Sequence, residues 1–360
     1  MRKIIDGLGF YVGTIVGAGM FALPYAVSRA GIWWGSFFFL ITLGLLTVFH
    51  LLFGAVIYHI PGKHRLPGYV KALIGPRASL FAALTTATGL FGALLVYGIL
   101  AGIFLTNITS LFSPAHWSLL FFIGLGPLLL FRLGRIGMIN FFLSLPIVVF
   151  VGVLFVKAFP LINSGYFFSI EPREWFLPYG VFLFAFAGLS AIPEMVEVMR
   201  KRNSALFREV VIGGSLLVGI IYVLFIVAVA GVAEEATPPD ALSALPLFFG
   251  KPLVLFGQIV ALLAVLTSYL AIGVDVRAMF YYDYRFSYVA SWFLAASIPL
   301  FLFLIGFGNF IRTVEFLGAI TVALSGAFVL WLGVKKDIIS RAAAFGVGSV
   351  LVTGIVLFIS

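Results

Sequence analysis

Two short segments of this chain share a pattern of glycine, alanine and proline that favours interrupted membrane helices. Residues 19–24 read GMFALP and residues 188–193 read GLSAIP. Glycine lowers the cost of leaving helical geometry, and proline lacks the N–H that would bond to the preceding turn. Three glycines among residues 13–19 strengthen the first signal. We therefore predict that two helices are interrupted, near residues 16–20 and 186–190.

An interrupted helix at membrane depth exposes backbone groups that can bind a charged ligand. Its unpaired N–H groups suit a carboxylate, and its unpaired carbonyl groups suit an ammonium group or Na⁺. Such a turn persists in a bilayer only where it is buried in protein or lines a cavity. An amino acid carries both charges and would fit a pair of breaks. The alternative is that the small residues only allow close helix packing and the prolines only kink the helices.

The elements that carry these segments are membrane helices. The chain is 63% hydrophobic and 10% charged, whereas roughly a quarter of residues are charged in soluble domains. The ten-residue alternation of a membrane β-barrel is not visible. We predict an all-α membrane protein with a short interfacial helix at residues 68–74. The 11 predicted transmembrane helices cover residues 5–29, 33–58, 79–110, 117–132, 138–159, 176–199, 209–233, 252–280, 287–307, 310–334 and 341–360.

The two glycine–proline segments divide the chain into equivalent halves. One lies in the first predicted helix and the other in the sixth, so the two copies cross the membrane in opposite directions. This arrangement indicates an inverted-topology repeat. We predict a single domain over residues 1–360, with repeat one at about 5–159, repeat two at about 176–334 and an extra helix at 341–360.

Lysine and arginine residues predict the orientation in the membrane. If the N-terminus is cytoplasmic, 17 of the 22 fall on the cytoplasmic side, as the positive-inside rule requires. An odd number of helices then places the C-terminus outside. The five residues expected outside are Arg29, Lys157, Arg173, Lys251 and Arg312. We predict a multi-pass protein of the plasma membrane.

Three motifs resemble those of a known group of permeases. Residues 13–26 (GTIVGAGMFALPYA) resemble the first-helix motif, residues 184–188 (FAFAG) with 192–195 (IPEM) the sixth helix, and residues 266–270 (LTSYL) the eighth. The chain is thus similar to the aromatic amino acid permeases and the amino acid/auxin permease family, both in the amino acid–polyamine–organocation superfamily.

This resemblance implies a five-plus-five inverted repeat, broken helices 1 and 6, and alternating access. It also implies a set of backbone and side-chain contacts to the charged groups of an amino acid substrate. These residues are Val16, Gly17, Ala18, Gly19, Met20, Phe184, Ala187 and Gly188.

A candidate sodium site lies in the eighth predicted helix. The adjacent hydroxyls of Thr267 and Ser268, with the carbonyl of Ala264 one turn earlier, form a set of hard oxygen ligands, the kind that hard cations prefer. The resemblance adds the carbonyls of Gly13 and Val16 as partners. The alternative is that both hydroxyls bond back to their own helix. We expect no cofactor other than this coupling ion.

A proton is the other candidate coupling ion. Some proton-coupled relatives carry a lysine in the fifth helix, but residues 138–158 hold only Lys157, at the outer end. Carboxylates inside the membrane are functional candidates by default, with structural salt bridges as the alternative. Glu194 is the possible proton site because it follows Pro193 directly. The membrane carboxylates, all toward inner helix ends, are Asp6, Glu194, Glu197 and Asp275.

The predicted pocket is walled by small and aromatic residues. We expect no Asp, Glu, Lys or Arg at its depth, so a charged side chain would be buried without a partner. Phe21, Phe184 and Phe186 could stack on an apolar or aromatic group. A neutral, large apolar or aromatic amino acid is the expected substrate, and a tight pocket for glycine or alanine is the alternative. Further predicted pocket residues are Ala22, Gly89, Gly92, Ala93, Tyr97 and Ser190.

Other function classes fit the sequence less well. The chain has no cysteine and no HExxH motif, and no histidine is spaced with carboxylates as an enzyme's metal ligands would be. An ion channel would be expected to show a filter loop or rings of charge. The net charge of +9 sits in short clusters between apolar spans, so a nucleic-acid partner is not indicated. The sequence contains no signal for an oligomeric state. The four histidines are His50, His59, His64 and His116.

Overall fold

The computed structural model describes residues 2–60, 62–131, 136–169, 174–199 and 204–360. All regular secondary structure within these ranges is helical, which confirms the predicted all-α class. Several residues used to predict the orientation lie outside the described residues: Arg132, Arg135, Arg173, Arg200, Lys201 and Arg202.

The first half of the chain contains six α-helices. A 3₁₀ turn (Ala18–Ala22) lies between α1 and α2, and another (Pro127–Leu130) follows α5. The helices are α1 (Arg2–Ile15), α2 (Leu23–Tyr58), α3 (Leu66–Leu73), α4 (Pro76–Thr109), α5 (Pro114–Leu125) and α6 (Ile136–Ala158).

The rest of the described chain contains both long helices and short connecting ones. Two π-helical segments, Met279–Asp283 and Leu317–Val322, continue α12 and α14 respectively. The helices are α7 (Ser164–Ser169), α8 (Leu177–Ala185), α9 (Ala191–Met199), α10 (Ser204–Ala233), α11 (Pro246–Phe249), α12 (Lys251–Ala278), α13 (Tyr288–Leu304), α14 (Phe310–Phe316), α15 (Ala323–Lys335) and α16 (Arg341–Ile359).

Helix α2 contains a reversal of the chain at Gly31. This glycine has φ 81° and ψ 168°, a left-handed conformation that costs other residues more than glycine. A Cβ placed on Gly35 would lie 3.1 Å from the side chain of Val27. Residues eight apart in one straight helix are separated by about 12 Å. The contact therefore shows that the chain folds back at Gly31, where the sequence predicted the end of one membrane helix and the start of the next.

The described helices are long and apolar enough to form a multi-pass membrane protein. Six spans meet the length and composition of a membrane crossing, and the first of these, Gly7–Tyr58, includes the reversal at Gly31. Shorter apolar helices occur at Pro114–Leu130, Leu145–Leu161 and Tyr288–Leu304. The predicted interfacial helix near residues 68–74 is present as α3 (Leu66–Leu73).

The centre of the molecule lies where the two interrupted helices meet their neighbours. Helix α1 packs against α6, α9 and α10, while α8 packs against α2 and the π-helical segment Leu317–Val322. Helix α12 packs against α4 and α6. The interruptions are therefore surrounded by protein on several sides, as backbone groups that leave helical geometry inside a bilayer require.

Candidate functional site

The first interruption, residues 16–22, is called the first break. The N–H of Gly17 donates to the carbonyl of Ile15 at 2.9 Å, whereas a regular α-helix would direct it to Gly13. The N–H of Met20 then donates to the carbonyl of Gly17 at 3.3 Å and begins the 3₁₀ turn. The regular ladder resumes in α2, whose first turn contains Pro24. This break lies where the glycine pattern predicted it.

The second interruption, residues 186–190, is called the second break. The N–H of Ala187 donates to the carbonyl of Phe184 at 3.1 Å, and the N–H of Ala191 to that of Gly188 at 3.0 Å. Both bonds span three residues rather than the four of an α-helix. Helix α9 begins at Ala191 and carries Pro193 in its first turn. The second prediction of a helix break is also confirmed.

The two breaks face each other at very short range. A Cβ on Gly19 would lie 2.6 Å from the Cα of Ala185, a contact that no side chain could make without moving the backbone. A Cβ on Gly188 would lie 2.7 Å from the Ile15 side chain. Glycine is therefore required at position 19, where backbone atoms block any side chain, whereas a side chain at position 188 would displace the side chain of Ile15.

One side chain connects the broken ends. The hydroxyl of Tyr222, in α10, lies 2.8 Å from the carbonyl oxygen of Ile15 and 2.9 Å from that of Ala185. These two carbonyls belong to the last residues of α1 and α8. Tyr222 is completely buried. The Tyr222 hydroxyl is therefore a buried donor shared by the C-terminal carbonyls of α1 and α8, in a place that water does not reach.

A cavity of about 130 Å³ lies between the breaks and extends toward Arg65. Its wall includes most of the predicted substrate residues: Gly17, Gly19, Gly89, Ala93, Tyr97, Phe184, Ala187, Gly188 and Ser190. Both breaks and helix α4 thus contribute to one shared space, as the sequence predicted.

The structure places the other predicted pocket residues behind the cavity wall. These residues are buried but do not line the cavity: Val16, Ala18, Met20 and Ala22.

Phe21 instead packs edge-to-face on Phe104 and Phe225. Phe186 packs on Phe39, Phe182 and Tyr222. Gly92 packs against Leu317. In the first break, Gly17 and Gly19 line the cavity while Ala18 and Met20 do not, an alternation that the sequence pattern did not resolve.

Several cavity residues were not predicted from the sequence. Thr86 lies on α4, Thr321 on the π-helical segment of residues 317–322, and Ser325 on α15. Isolated hydroxyls in apolar helices give no periodic signal, since membrane serines and threonines also bond back to their own helix. Thr321 lines the cavity and also bonds back to its own helix, because its hydroxyl donates to the carbonyl of Leu317 at 2.6 Å.

The expectation that no charged residue reaches the pocket is wrong. The side chains of Arg65 and Asp275 both line the cavity and form an ion pair with each other. Arg65 comes from the loop before α3, and only the tertiary fold brings it beside α12. Arg65 also pairs with Glu194, so each of the two charged lining residues already has a partner of opposite charge.

Three consecutive residues, Lys63 to Arg65, form what we call the inner strap. Lys63 Nζ lies 2.6 Å from Glu197 Oε1, and Arg65 Nη2 lies 2.5 Å from Glu194 Oε1, both on α9. His64 Nδ1 lies 3.1 Å from Asp283 Oδ1. The backbone N–H of Arg65 donates to Asp283 Oδ2 at 3.0 Å. The strap thus connects α9, which follows the second break, to the end of the α12 span.

Electrostatics hold Arg65 in its charged form. Burial alone would lower the pKa of its guanidinium, but the carboxylates of Asp275 and Glu194 more than offset burial and raise that pKa. Glu194, predicted from the sequence as a possible proton site, forms an ion pair with Arg65. The side chain of Asp6 lies outside the described residues.

The predicted sodium ligands are only partly brought together. A Cβ on Gly17 would lie 3.1 Å from Ser268 Oγ and 3.5 Å from the Tyr97 hydroxyl, so helices α12 and α4 meet the first break here. Ser268 Oγ is buried without a hydrogen bond that meets normal geometry within the described residues. The Thr267 hydroxyl, by contrast, donates to the carbonyls of Leu263 and Ala264, each at 3.1 Å.

Apolar spans around two facing helix breaks, with a cavity between them, define a multi-pass membrane protein of the transporter class. The chain belongs to the transmembrane amino acid transporter family, whose model matches residues 2–282. Family and fold therefore point to a transporter rather than an enzyme.

The fold is also similar to a solved structure. The crystal structure of MhsT in complex with L-phenylalanine matches with a TM-score of 0.69 and 15% sequence identity, covering 98% of this chain and 97% of that chain. At this identity the likeness shows the fold alone. No curated protein gave a significant sequence match.

Replacing Tyr222 with phenylalanine should weaken the site. The Ile15 carbonyl keeps the Gly17 N–H as a donor, so the change leaves the buried Ala185 carbonyl without its Tyr222 donor, at a cost of about 1–3 kcal/mol. We expect a lower midpoint of thermal unfolding in detergent and roughly tenfold weaker amino acid binding, since 1.4 kcal/mol corresponds to a factor of ten. Tyr281→Phe, at a partly exposed tyrosine, is the control. Equal stability and binding in both variants would contradict this role.

Proposed function

We propose that this protein is a secondary active transporter that imports a neutral, large apolar or aromatic amino acid by alternating access. Coupling to Na⁺ is the preferred mechanism, with H⁺ as the other candidate. The observation that carries the proposal is the pair of facing breaks with one cavity between them. Interrupted helices in corresponding positions are the arrangement in which transporters hold a charged substrate at the membrane midplane.

The proposed topology has 11 crossings built from a five-plus-five inverted repeat. The reversal at Gly31 divides α2 between two crossings. The 3₁₀ turn after α5 and the turn after α6 lengthen those helices toward the membrane thickness. An odd count and the lysine and arginine distribution support a cytoplasmic N-terminus and an external C-terminus in the plasma membrane.

The cavity supports a neutral substrate with a large side chain. Its two charged lining groups, Arg65 and Asp275, are already paired with each other, and Arg65 also pairs with Glu194, so an added substrate charge would lack a free partner. Phe53, Tyr97 and Phe184 supply aromatic surface to the wall, which suits apolar and aromatic side chains. The similar structure of MhsT holds L-phenylalanine, and the same class of substrate is proposed here.

Competition for labelled leucine in proteoliposomes tests the substrate class. Phenylalanine and tryptophan should compete at least about tenfold better than glycine, because each buried CH₂ adds ~0.8 kcal/mol. Arginine and glutamate should hardly compete. Strong inhibition by either charged amino acid would contradict a cavity for neutral substrates. Preference for glycine or alanine would contradict a cavity for large side chains. Flux that fails to saturate would favour a channel.

The sodium site is proposed between the first break and α12. The Gly17 N–H bonds to Ile15 rather than Gly13, which releases the Gly13 carbonyl from its helical partner. Ser268 Oγ lies beside this segment. With the carbonyls of Val16 and Ala264 and the hydroxyl of Thr267, these oxygens match the hard ligands that Na⁺ takes. The back-bonded Thr267 hydroxyl keeps lone pairs that can still accept a cation.

Removing both hydroxyls tests this site. The double variant Thr267→Ala/Ser268→Ala should lose sodium stimulation of uptake, because two of five proposed oxygen ligands are gone. Ser297→Ala is the control, since this partly buried serine donates to the carbonyl of Phe293 in its own helix. Wild-type uptake that is unchanged without Na⁺ but collapses with a proton uncoupler would identify H⁺ as the coupling ion instead.

The inner strap is proposed to close the cavity toward the cytoplasm. Its ion pairs reach α9 and the end of the α12 span, which border the cavity beyond the second break. Alternating access requires that such contacts form in one state and separate in another. Pairs at the exposed edge, such as Lys63 with Glu197, contribute little stability by themselves and can therefore be broken in each cycle.

Because the chain has no native cysteine, a reversible cross-link can test strap movement. Lys63→Cys/Glu197→Cys should lose most counterflow when treated with a bifunctional thiosulfonate, and a reductant should restore it. The separation of the strap from α9 is the step that the cross-link blocks. The two single variants under the same treatment are the controls. Full transport by the cross-linked double variant would contradict an opening strap.

A further inference from the structure

A buried histidine lies beside the second break and has no part in the cavity or the sodium site. His50 is in α2 and is 1% exposed. Its Cε1 atom lies 3.3 Å from the position that a Cβ on Gly188 would occupy. Gly188 lines the cavity on its other side, so His50 contacts the break from behind.

A chain of hydrogen bonds holds one nitrogen of this imidazole. His50 Nδ1 lies 2.7 Å from the hydroxyl of Tyr11, which lies 2.6 Å from Ser215 Oγ. Tyr11 is in α1 and Ser215 in α10, and both are buried. The chain therefore spans α2, α1 and α10, three of the helices around the two breaks.

The other nitrogen, Nε2, is buried without a hydrogen-bond partner among the described residues. If Tyr11 donates to Nδ1, then Nε2 carries a hydrogen without an acceptor. If Tyr11 donates to Ser215, then Nδ1 donates to Tyr11 and Nε2 holds a free lone pair. Either arrangement leaves a buried polar atom unsatisfied, which is unfavourable, and such a group in a native protein calls for an explanation.

The second arrangement is ready to accept a proton. Protonation at Nε2 leaves the bonds from Nδ1 to Tyr11 and from Tyr11 to Ser215 unchanged. No carboxylate or cationic side chain in the described part of the chain forms an ion pair with His50. Tyr11 from α1 is the titratable group hydrogen-bonded to it, with Ser215 from α10 beyond. Glu194 on α9 is paired with Arg65.

We propose that His50 is a proton-binding site that couples pH to the opening of the second break. An imidazolium in the packed state would be buried without a counterion, which is strongly unfavourable. Hydration of the break removes this cost. In the open state, Nε2 therefore takes a proton from water. The proton returns to water before the break packs into the arrangement of this structure. Because the proton binds the open state more tightly than the packed state, it shifts the equilibrium between them toward the open state.

The sign of the pH effect follows from this linkage. Low pH favours the open break, and high pH favours the packed one, with the change near the range where histidine ordinarily titrates. The inference rests on the proposed transport function, since opening of the break is read out as amino acid exchange. Counterflow should therefore be faster at pH 6 than at pH 8.

Counterflow of labelled leucine in proteoliposomes tests the proposal. Wild type should be about fivefold faster at pH 6 than at pH 8. His50→Gln, which cannot take the proton, should run at the wild-type pH 8 rate at both values. His59→Gln is the matched control, because His59 is on the exposed end of the same helical segment and bonds to the carbonyl of Ala55. It should keep the fivefold ratio.

A second variant keeps the test decisive if His50→Gln does not fold. Tyr11→Phe retains the imidazole but removes the acceptor of the Nδ1 hydrogen, which should move the midpoint of the pH profile to more acidic values. An unchanged midpoint, a flat wild-type profile, or a folded His50→Gln variant with the wild-type ratio would each overturn the proposal. Absence of counterflow in the wild type would instead overturn the transport function itself.

Discussion

Backbone polar groups inside a bilayer must find partners within the protein, and this constraint organises the centre of the molecule. Helices α1 and α8 each end in mid-protein, and each leaves a terminal carbonyl that the helix no longer satisfies. The hydroxyl of Tyr222 serves both carbonyls. Because α10 supplies that donor, the two interrupted helices are held at a fixed spacing. The close approach of Gly19 to Ala185 depends on this arrangement.

The distribution of charge follows from the same low-dielectric environment. The charged side chains at the cavity are paired, and Arg65 lies between the two carboxylates of Glu194 and Asp275. The part of the cavity between the breaks offers backbone groups, hydroxyls and aromatic rings instead. The inner strap lies at the Arg65 end of this space, where Lys63 pairs with Glu197.

The breaks and their neighbours also explain why small energy differences can control a transport cycle. His50 touches the second break from one side, and the cavity lies on its other side. Tyr222 and Ser268 approach the first break from α10 and α12. Each contact costs or contributes only a few kcal/mol. A substrate, a cation or a proton that binds one arrangement better than the other is then sufficient to change which arrangement is populated.

The sequence by itself determined the helical class, the positions of both breaks and many residues of the cavity wall. It could do so because glycine and proline act locally on the backbone, and because apolar runs of sufficient length signal membrane helices without reference to neighbours. Tertiary structure alone decided which side chains complete the site. Arg65 reaches Asp275, Tyr222 reaches both breaks, and Phe21 turns away from the cavity toward Phe104. These contacts join residues far apart in the chain, and their directions depend on how the helices pack, which no local pattern encodes.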